Sequence, residues 1–267
     1  MTLSFRDVYF AYEDHQSSSS ARMRHQLRAL NFQISANEFV AIVGRSGSGK
    51  STLLQMCNGL LAPTQGEVLA DGANLQAKKF PLAELRRRIG LVFQFPEAQL
   101  FAATVREDIA FAAVQQKLPT DEIYARTVQA LAQVGLTENY LDRNPLTLSE
   151  GEKRRVAFAG VLVMHPEMLV LDEPTASLDA NGIDEVKNLL RQWHHSGKII
   201  VMISHDADLV YELAQRVLVL HEGTIIFEGT TQQLWCDTEA SRALCERAGL
   251  ATPRALRLQT QLAKQGR

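Results

Sequence analysis

A glycine-rich octapeptide directly after a short apolar run constrains the fold of this chain more than any other feature. Residues 44–51 have the sequence Gly-Arg-Ser-Gly-Ser-Gly-Lys-Ser, and residues 39–43 before them are apolar and largely branched. The apolar run is typical of a buried strand, and residues 52–56 are predicted to be helical. A strand, a tight glycine loop and a helix in this order surround phosphate oxygens with backbone N–H groups at the positive end of a helix. The segment therefore predicts binding of a nucleoside triphosphate.

The polar side chains of this loop have defined tasks in such a site. Lys50 can reach the β and γ phosphates, and the hydroxyl of Ser51 can ligate Mg²⁺, a hard cation that prefers oxygen. A surface loop rich in glycine and serine could match the pattern by accident, but the flanking strand and helix disfavour that alternative. The residues predicted to contact the nucleotide are Gly44, Arg45, Ser46, Gly47, Ser48, Gly49, Lys50, Ser51 and Thr52.

The composition of the chain excludes several classes of protein. With 46% hydrophobic residues among 267, the chain can bury a substantial core, and its net charge of −2 gives no general attraction to nucleic acid. Its apolar runs are far shorter than the roughly 20 residues that span a bilayer, and its first residues lack the pattern of a secretory signal. Three cysteines without metal-ligand spacing fit a reducing compartment. We therefore expect a cytoplasmic protein with no nucleic-acid partner.

The distribution of apolar residues predicts a mixed α/β organisation. Aromatic and branched residues indicate a first strand over residues 3–12, and the polar, serine-rich residues 13–26 are predicted to form a mobile loop. Residues 82–159 have a mostly helical pattern, including an amphipathic stretch at 122–134. Further strands are predicted at residues 32–34, 39–43, 66–72, 168–171, 199–203 and 217–220. Strands separated by helices predict a parallel central sheet, and the early strands predict short antiparallel pairing.

Two carboxylates follow the apolar residues 168–171. Asp172 and Glu173 should emerge at the carboxyl edge of the sheet, where α/β proteins bind ligands. Asp172 suits a Mg²⁺ ligand that acts through water, and Glu173 suits a general base or a residue that orients the attacking water. Acidic residues after strands are also common as ordinary loop starts. The presence of the glycine loop in the same chain favours the catalytic interpretation.

A third motif, Leu-Ser-Glu-Gly-Glu at residues 148–152, lies between the other two and resembles the LSGGQ signature of ATP-binding cassette (ABC) ATPases. Gln94 matches the glutamine of the family's Q-loop, and His205 matches its switch histidine. Tyr12 stands where the family places an aromatic residue that stacks on adenine. The residues after Glu173 continue into a D-loop that ends at Asp179. The resemblance thus covers nearly the whole chain.

The resemblance implies an α/β fold with a P-loop ABC ATPase core. That core has a parallel sheet, a small antiparallel β-subdomain, an inserted α-helical subdomain at about residues 95–160 and a short C-terminal helical extension. It also implies hydrolysis of ATP with Mg²⁺ in two composite sites, which close when two subunits pair. Ser149 and Gly151 of one subunit would then cover the γ-phosphate bound to the other.

The same resemblance assigns roles to individual residues. The residues expected to act in catalysis are Glu173, His205, Gln94 and Lys50. The residues expected to hold the metal are Ser51, Gln94 and Asp172. Tyr12, Ser149, Gly151 and Asp179 join the phosphate loop as the expected nucleotide contacts.

The signature departs from the family pattern at two positions. Glu150 stands where glycine is usual, and Glu152 stands where glutamine is usual. Ser149 and Glu152 have the spacing of a capping box, and acidic residues are favourable in a first helical turn, so both departures have a structural explanation. If Glu150 instead faces the partner's γ-phosphate at roughly 6 Å, the repulsion is about 3 kcal/mol per charge pair at an effective dielectric constant of about 20. Such repulsion favours an asymmetric pair with a second, related ATPase.

Two further segments resemble one branch of the family, the energy-coupling-factor transporter ATPases. Residues 93–101 match the branch's Q-loop pattern Q-x-P-E-x-Q-L-F, and residues 248–266 resemble its C-terminal helical extension, which contributes to ATPase pairing. We therefore predict an ABC nucleotide-binding domain at residues 1–230 and a helical extension, a dimerisation element, at 231–267.

The branch implies particular partners. The ATPase would be a homodimer or a heterodimer with a related ABC ATPase, bound on the inner face of the membrane to a transmembrane coupling protein. A second membrane protein would capture a vitamin or metal ion. Gln99, Leu100 and Phe101 would lie near the groove that receives the coupling protein, although apolar residues after Pro96 also suit a core position.

Other classes remain as alternatives. A conventional binding-protein-dependent importer shares every nucleotide motif and differs in its membrane partner. A soluble ABC protein of chromosome maintenance or translation control would show coiled-coil arms or a second cassette, which this sequence lacks. A P-loop kinase or GTPase would lack the signature and the switch histidine. A subunit that binds nucleotide without hydrolysis is disfavoured, because Glu173 and His205 are both present.

Overall fold

The computed structural model describes residues 1–12 and 25–265, which form two sheets with helices packed on them. The strands are β1 (Leu3–Ala11), β2 (His25–Ile34), β3 (Phe39–Val43), β4 (Gln65–Ala70), β5 (Ala73–Asn74), β6 (Ile89–Val92), β7 (Met168–Asp172), β8 (Ile199–Ile203), β9 (Arg216–His221) and β10 (Thr224–Gly229). The helices are α1 (Lys50–Cys57), α2 (Leu82–Arg88), α3 (Val105–Gln115), α4 (Thr120–Gln133), α5 (Glu150–Leu162), α6 (Ala180–His195), α7 (Ala207–Leu213), α8 (Thr231–Leu234), α9 (Glu239–Ala248) and α10 (Arg254–Gln265). Short 3₁₀ turns lie at Pro96–Gln99, Glu138–Tyr140 and Pro145–Thr147.

The larger sheet has six strands in the order β10-β9-β3-β8-β7-β6. Its neighbours pair in parallel except β9 and β10, which form an antiparallel hairpin at one edge. Every residue of β3 and β8 is buried, which explains why their sequences are continuous apolar runs rather than alternating ones. The predicted parallel central sheet is confirmed.

The register brings the ends of three strands to one level at the carboxyl edge of this sheet. Ile203 of β8 is opposite both Ile42 of β3 and Asp172 of β7. The glycine loop after β3, the carboxylates at the end of β7 and residues 204–206 after β8 therefore emerge side by side. Segments that are far apart in sequence thus meet at one place.

The smaller sheet is antiparallel, with the strand order β2-β1-β4-β5. Its inner face shares a hydrophobic core with α1 and one face of the larger sheet, in which Phe5, Ile42 and Leu53 are fully buried or nearly so. A backbone hydrogen bond from Arg28 N to the carbonyl of Gly223 joins the two sheets. The predicted antiparallel pairing is confirmed.

Helices α3, α4 and α5 pack against one another and share a second hydrophobic core with the opposite face of the larger sheet. The predicted amphipathic helix corresponds to α4. Leu131 of this helix is buried, and so is Val134, which follows the last residue of the helix. Ile123 and Val128 are partly buried against the same core. The spacing of these four residues is that of one helix face.

Three features of the fold differ from the sequence prediction. Residues 89–92 lie within the stretch predicted as mostly helical but form β6, because they pair in parallel with β7. Strands β5 and β10 have no counterpart in the prediction. His25 and Gln26, predicted to lie in a loop, belong to β2, whose first residues pair with the end of β1. The remainder of the predicted serine-rich loop, residues 13–24, lies outside the described residues.

The last described helices, α8 to α10, pack beside the larger sheet and α7. Trp235 is buried and donates its indole N–H to the carbonyl oxygen of Ala251 at 3.1 Å. The backbone N–H of Arg254 donates to Asp208 Oδ1 at 2.5 Å, which ties the start of α10 to the first turn of α7. Within residues 1–12 and 25–265, none of the helices has the length and apolar character needed to cross a bilayer.

Candidate functional site

Close packing around the phosphate loop requires glycine at positions 44 and 49. A Cβ on Gly44 would overlap the carbonyl oxygen of Leu220, and a Cβ on Gly49 would lie 2.6 Å from Leu27 Cδ2. Both glycines also have positive φ, 143° and 105°, a conformation that other residues rarely adopt. The loop is thereby held against β9 and β2 where α1 begins, and the first N–H groups of α1 have no partner inside the helix. Such groups suit an anion.

Lys50 is buried, and its ammonium group is satisfied within the loop. Nζ donates to the carbonyl oxygens of Gly44 at 2.8 Å and of Arg45 at 2.9 Å. Burial lowers the pKa of Lys50, whereas the charges of Glu173 and Asp172 raise it. The phosphate loop thus holds the charged ammonium group of Lys50 in place. Phosphate oxygens can replace the two carbonyl groups as its hydrogen-bond acceptors.

Asp172, at the end of β7, is hydrogen-bonded to the side chain of Ser51. Burial raises the pKa of Asp172, and the bond from Ser51 and the charges of Lys50 and His205 partly oppose this. A carboxylate in contact with a hydroxyl supplies the hard oxygen donors that Mg²⁺ prefers, so the pair fits this metal. The described residues contain no cluster of three His, Cys, Asp or Glu side chains that could hold a metal ion. Asp172 and Ser51, with Gln94 in the same cleft, are the residues that would hold Mg²⁺.

Glu173 has the most unusual environment in the site. Its φ is 49°, which is a costly conformation for a residue other than glycine. Burial raises the pKa of its carboxyl group to about 6, and the neighbouring charge of Asp172 adds to the shift. Oε2 accepts a hydrogen bond from the backbone N–H of His205 at 3.2 Å, whereas Oε1 is buried without a hydrogen-bond partner. A buried, incompletely satisfied carboxylate of this pKa suits a general base near neutral pH.

The side chain of His205 lies beside the free oxygen of Glu173. Its Nε2 lies 3.3 Å from Glu173 Oε1, without the alignment of a hydrogen bond. Burial and the charge of Lys50 lower the pKa of His205, so the imidazole is neutral at pH 7. A neutral imidazole can both donate and accept hydrogen bonds, which suits a residue that orients water or phosphate.

These side chains line one cleft with a volume of about 470 Å³ at the carboxyl edge of the larger sheet. The cleft is large enough for part of a nucleotide. Its lining residues that were predicted from the sequence are Ser46, Gly47, Gly49, Lys50, Ser51, Thr52, Gln94, Asp172, Glu173 and His205. Gln26, Ala176 and Ile203 also line the cleft and were not predicted from the sequence. Gln26 Nε2 donates to the carbonyl oxygen of Gly47 at 3.2 Å, and the position of Gln26 within the predicted low-complexity loop gave no signal.

The other predicted nucleotide contacts do not line the cleft of the single, described chain. They are Tyr12, Gly44, Arg45, Ser48, Ser149, Gly151 and Asp179. The hydroxyl of Tyr12 lies 3.3 Å from Thr52 Oγ1, so Tyr12 is directly beside the cleft, and its side chain is exposed. The guanidinium of Arg45 donates to the carbonyl oxygen of Glu246 in α9 at 3.2 Å and so points away from the cleft. Asp179 caps α6 by accepting from Gly182 N.

The signature lies at the start of α5, and its predicted capping box is confirmed. Ser149 is the N-cap and accepts from Glu152 N, and the Glu152 side chain accepts from Ser149 N at 2.8 Å. Bonds from Ser149 and from the hydroxyl of Tyr140 lower the pKa of Glu152 to about 2. Glu150 is largely exposed and pairs with Lys153 at 2.8 Å. Both departures from the signature are therefore accommodated by the helix.

The cleft and the separate signature helix together define the class of protein as an ATP-binding cassette. The family model described as "ABC transporter" matches residues 27–176, more than half of the chain. The chain belongs to this family. The predicted ABC ATPase, which binds ATP and Mg²⁺, is confirmed at this level.

Similar proteins indicate the branch of the ATP-binding cassette family that this chain resembles. The energy-coupling factor transporter ATP-binding protein of Caldanaerobacter subterraneus is 38% identical over 267 residues, which cover 100% of this chain and 91% of that protein. The protein of that description from Methanocaldococcus jannaschii is 41% identical over 253 residues, which cover 95% of this chain and 86% of that protein. The resemblance to the energy-coupling-factor branch is thus confirmed.

Solved structures agree with this assignment. The structure of cbiO1 from Clostridium perfringens, part of the ABC transporter complex cbiONQ, matches with a TM-score of 0.78 and 39% identity, and covers 92% of this chain and 94% of that chain. A dimeric ATP-binding cassette in a post-hydrolysis state with ADP and Pi matches with a TM-score of 0.75 and 28% identity. The match covers 86% of this chain and 98% of that chain. The predicted fold class is confirmed.

Proposed function

We propose that this chain is the ATP-binding and ATP-hydrolysing subunit of a membrane import complex. Closure of an ATPase dimer on nucleotide would be coupled to uptake of a small substrate, a metal ion or a vitamin. The observation that carries the proposal is the meeting of Lys50, Asp172, Glu173 and His205 in one cleft beside the phosphate loop. Similarity over the full chain to energy-coupling factor transporter ATP-binding proteins supports the transport role.

In the proposed reaction, Lys50 exchanges its two carbonyl partners for phosphate oxygens of ATP. Ser51, Asp172 and Gln94 would hold Mg²⁺, which neutralises developing phosphate charge when bound. Glu173 accepts a proton from the attacking water through its unpartnered Oε1, and His205, whose Nε2 lies 3.3 Å from that oxygen, orients the reacting groups.

The proposed working unit is a pair of ATPases. Ser149 and Gly151 lie at the N-terminus of α5, outside this chain's own cleft, so they are available to cover the nucleotide of a partner. The dimeric cassette among the similar structures supports pairing. Glu150 lies on the same helix end, and its negative charge disfavours closure of two identical chains. The partner is therefore either a second copy that tolerates this charge or a related ATPase with an intact signature.

A surface suited to a membrane partner lies directly after the Q-loop. Phe101 is 67% exposed and packs edge-to-face on the exposed Phe111, with ring centroids 5.0 Å apart. The alternative interpretation of Phe101 as a core residue is therefore wrong, whereas Leu100 is partly buried and Gln99 is exposed. We propose that this aromatic pair docks the transmembrane coupling protein of a complex on the inner face of the membrane, beside which a second membrane protein captures the substrate.

The C-terminal helices are proposed to assist ATPase pairing. The exposed Leu258 and Leu262 are one helical turn apart on α10 and so share a face of that helix. An exposed apolar helix face suits a protein contact. We propose the nucleotide-binding domain at residues 1–230, its helical subdomain at about 95–160 and the extension at 231–267 as the functional divisions of the chain.

The transport role is tested by purification of the tagged chain from native membranes. We expect membrane-spanning proteins to co-purify, and we expect Phe101→Ser to lose them while its ATP binding is unchanged. Leu60→Ser, at another exposed apolar residue, which follows α1, is the control and should retain the partners. Recovery of the wild-type chain without any membrane protein would contradict the proposal. Recovery with a soluble substrate-binding protein would favour the conventional importer.

A further inference from the structure

Arg154 is a buried cation in the middle of α5, with 4% of its surface exposed. It lies within the basic run Lys153-Arg154-Arg155, which suggests a solvated helix face from sequence alone. Its two neighbours form ordinary ion pairs nearer the surface, Lys153 with Glu150 and Arg155 with Glu185. Arg154 differs because it points inward and no step of the proposed hydrolysis uses it.

One side of the Arg154 guanidinium holds the turn that follows Glu173. Nη1 donates to the carbonyl oxygens of Pro174 at 3.2 Å and of Ala176 at 3.0 Å. The turn is closed by a bond from Ala176 N to the carbonyl oxygen of Glu173 at 3.0 Å. Both Glu173 and Ser177 have positive φ, at 49° and 62°. Two unfavourable backbone conformations so close together persist only where the surroundings fix them, and Arg154 supplies two of the fixing bonds.

The other side of the guanidinium holds the segment after the Q-loop. Nε and Nη2 donate to the two carboxylate oxygens of Glu97 at 3.2 and 3.3 Å. The side chains of Arg154 and Glu97 are 5% and 15% exposed, so the pair is shielded from water. Glu97 lies in the 3₁₀ turn Pro96–Gln99, which ends two residues before the exposed Phe101. A bidentate pair of this kind resists sliding, so a displacement of the turn moves the guanidinium with it.

We propose that Arg154 is a positioning residue that fixes the turn after Glu173 and, through Glu97, transmits displacement of the segment before Phe101 to that turn. The proposal rests on the proposed function. It gives the docking surface a direct physical connection to the carboxylate that activates water. The connection consists of four hydrogen bonds to one buried side chain.

The first test compares Arg154→Lys with Arg155→Lys in the full chain. Lysine keeps the charge but cannot bond Glu97 bidentately and both carbonyl groups at once. We expect kcat for ATP to fall about tenfold or more in Arg154→Lys, because misplacement of a reacting group is costly, while the Kd for Mg²⁺-ATP stays within about threefold. Arg155→Lys should have the same kcat and the same Kd for Mg²⁺-ATP as the wild type. Equal kcat in all three proteins would overturn the proposal, whereas a wild type with no turnover even in its membrane complex would overturn the proposed function instead.

The second test does not depend on turnover. Hydrogen exchange followed by mass spectrometry on the nucleotide-free chain should show about tenfold faster exchange at residues 175–178 in Arg154→Lys. Glu97→Gln should accelerate the same residues, because its effect reaches them through Arg154, and the double variant should match Arg154→Lys alone. Glu185→Gln, which removes the partner of Arg155, should leave exchange there unchanged. Unchanged exchange at residues 175–178 in Glu97→Gln would overturn the transmitting role.

Discussion

Glu173 shows how one residue is prepared for catalysis at a cost to stability. Its carboxyl group is buried beside a second carboxylate, its backbone has positive φ, and one of its oxygens has no hydrogen-bond partner. Each of these features is unfavourable for folding and favourable for a base that must accept a proton from water. The residue is therefore expected to trade stability for activity.

This trade predicts the effect of Glu173→Gln on stability. Because the pKa of the folded state is raised from 4.5 to about 6, folding disfavours the charged form. That penalty is absent below the unfolded value and fully present above the folded one, where it amounts to about 2 kcal/mol. Glu173→Gln should raise the free energy of unfolding by about this amount near pH 8 and change it little near pH 4. Denaturant unfolding at both pH values measures the difference, and lower stability of the variant near pH 8 would contradict it.

At the scale of elements, α5 combines two tasks that can be separated. Its N-terminus is fixed by the Ser149–Glu152 capping box, and the middle of the helix contributes Arg154 to the interior. Helix α3 begins with the same kind of capping box, formed by Thr104 and Glu107. The two helix starts are therefore matched in local structure, while only the start of α5 carries the signature.

The match gives a controlled prediction for the signature serine. Ser149→Ala and Thr104→Ala should each lower the free energy of unfolding by about 1 kcal/mol, because each removes an N-cap. Only Ser149→Ala should also weaken ATP-dependent pairing, since Ser149 is proposed to reach the partner's nucleotide. Sedimentation with ATP in a Glu173→Gln background separates the two effects. If Ser149→Ala and Thr104→Ala pair equally well with ATP, Ser149 only caps the helix and does not reach the partner's nucleotide.

The sequence alone predicted the strands that are continuous apolar runs. It missed the elements and side chains whose structure depends on segments that are distant in sequence. The apolar runs of β3, β7 and β8 were sufficient, because strands buried on both faces need no alternation. The four residues of β6 follow directly on α2 and are too short to show a period, and only pairing with β7 makes them a strand. Arg154 was missed in the same way, since its bonds come from segments that are distant in sequence.

At the scale of the whole molecule, the phosphate loop and the signature lie on different parts of one chain, and we propose that a second chain brings them together. Glu150 is the charge that bears on this pairing. The Nζ of Lys153 lies 2.8 Å from Glu150 Oε1, so its positive charge offsets part of the negative potential of Glu150. We therefore expect the signature of this chain to be weakened rather than disabled as a cover for a partner's ATP.

The charge at Glu150 predicts a measurable gain from its removal. Glu150→Gln should tighten ATP-dependent homodimerisation about tenfold, because part of the repulsion of the γ-phosphate disappears. The gain should shrink as salt is raised. Sedimentation equilibrium in a Glu173→Gln background provides the dimer Kd, and Glu138→Gln, at an acidic residue outside the signature, serves as the control. A Kd unaffected by Glu150→Gln would show that this side chain does not face the nucleotide.

The shared catalytic site is tested most directly by Mg²⁺-dependent ATP hydrolysis of the purified chain as a function of its concentration, beside Glu173→Gln. We expect the specific activity to rise with concentration, because each site is completed by a partner, and we expect Glu173→Gln to lose that activity. If the chain alone is inactive, addition of a related ATPase or of the membrane complex should restore turnover that depends on Glu173. Turnover that is independent of concentration and survives Glu173→Gln would contradict both the shared site and the assigned base.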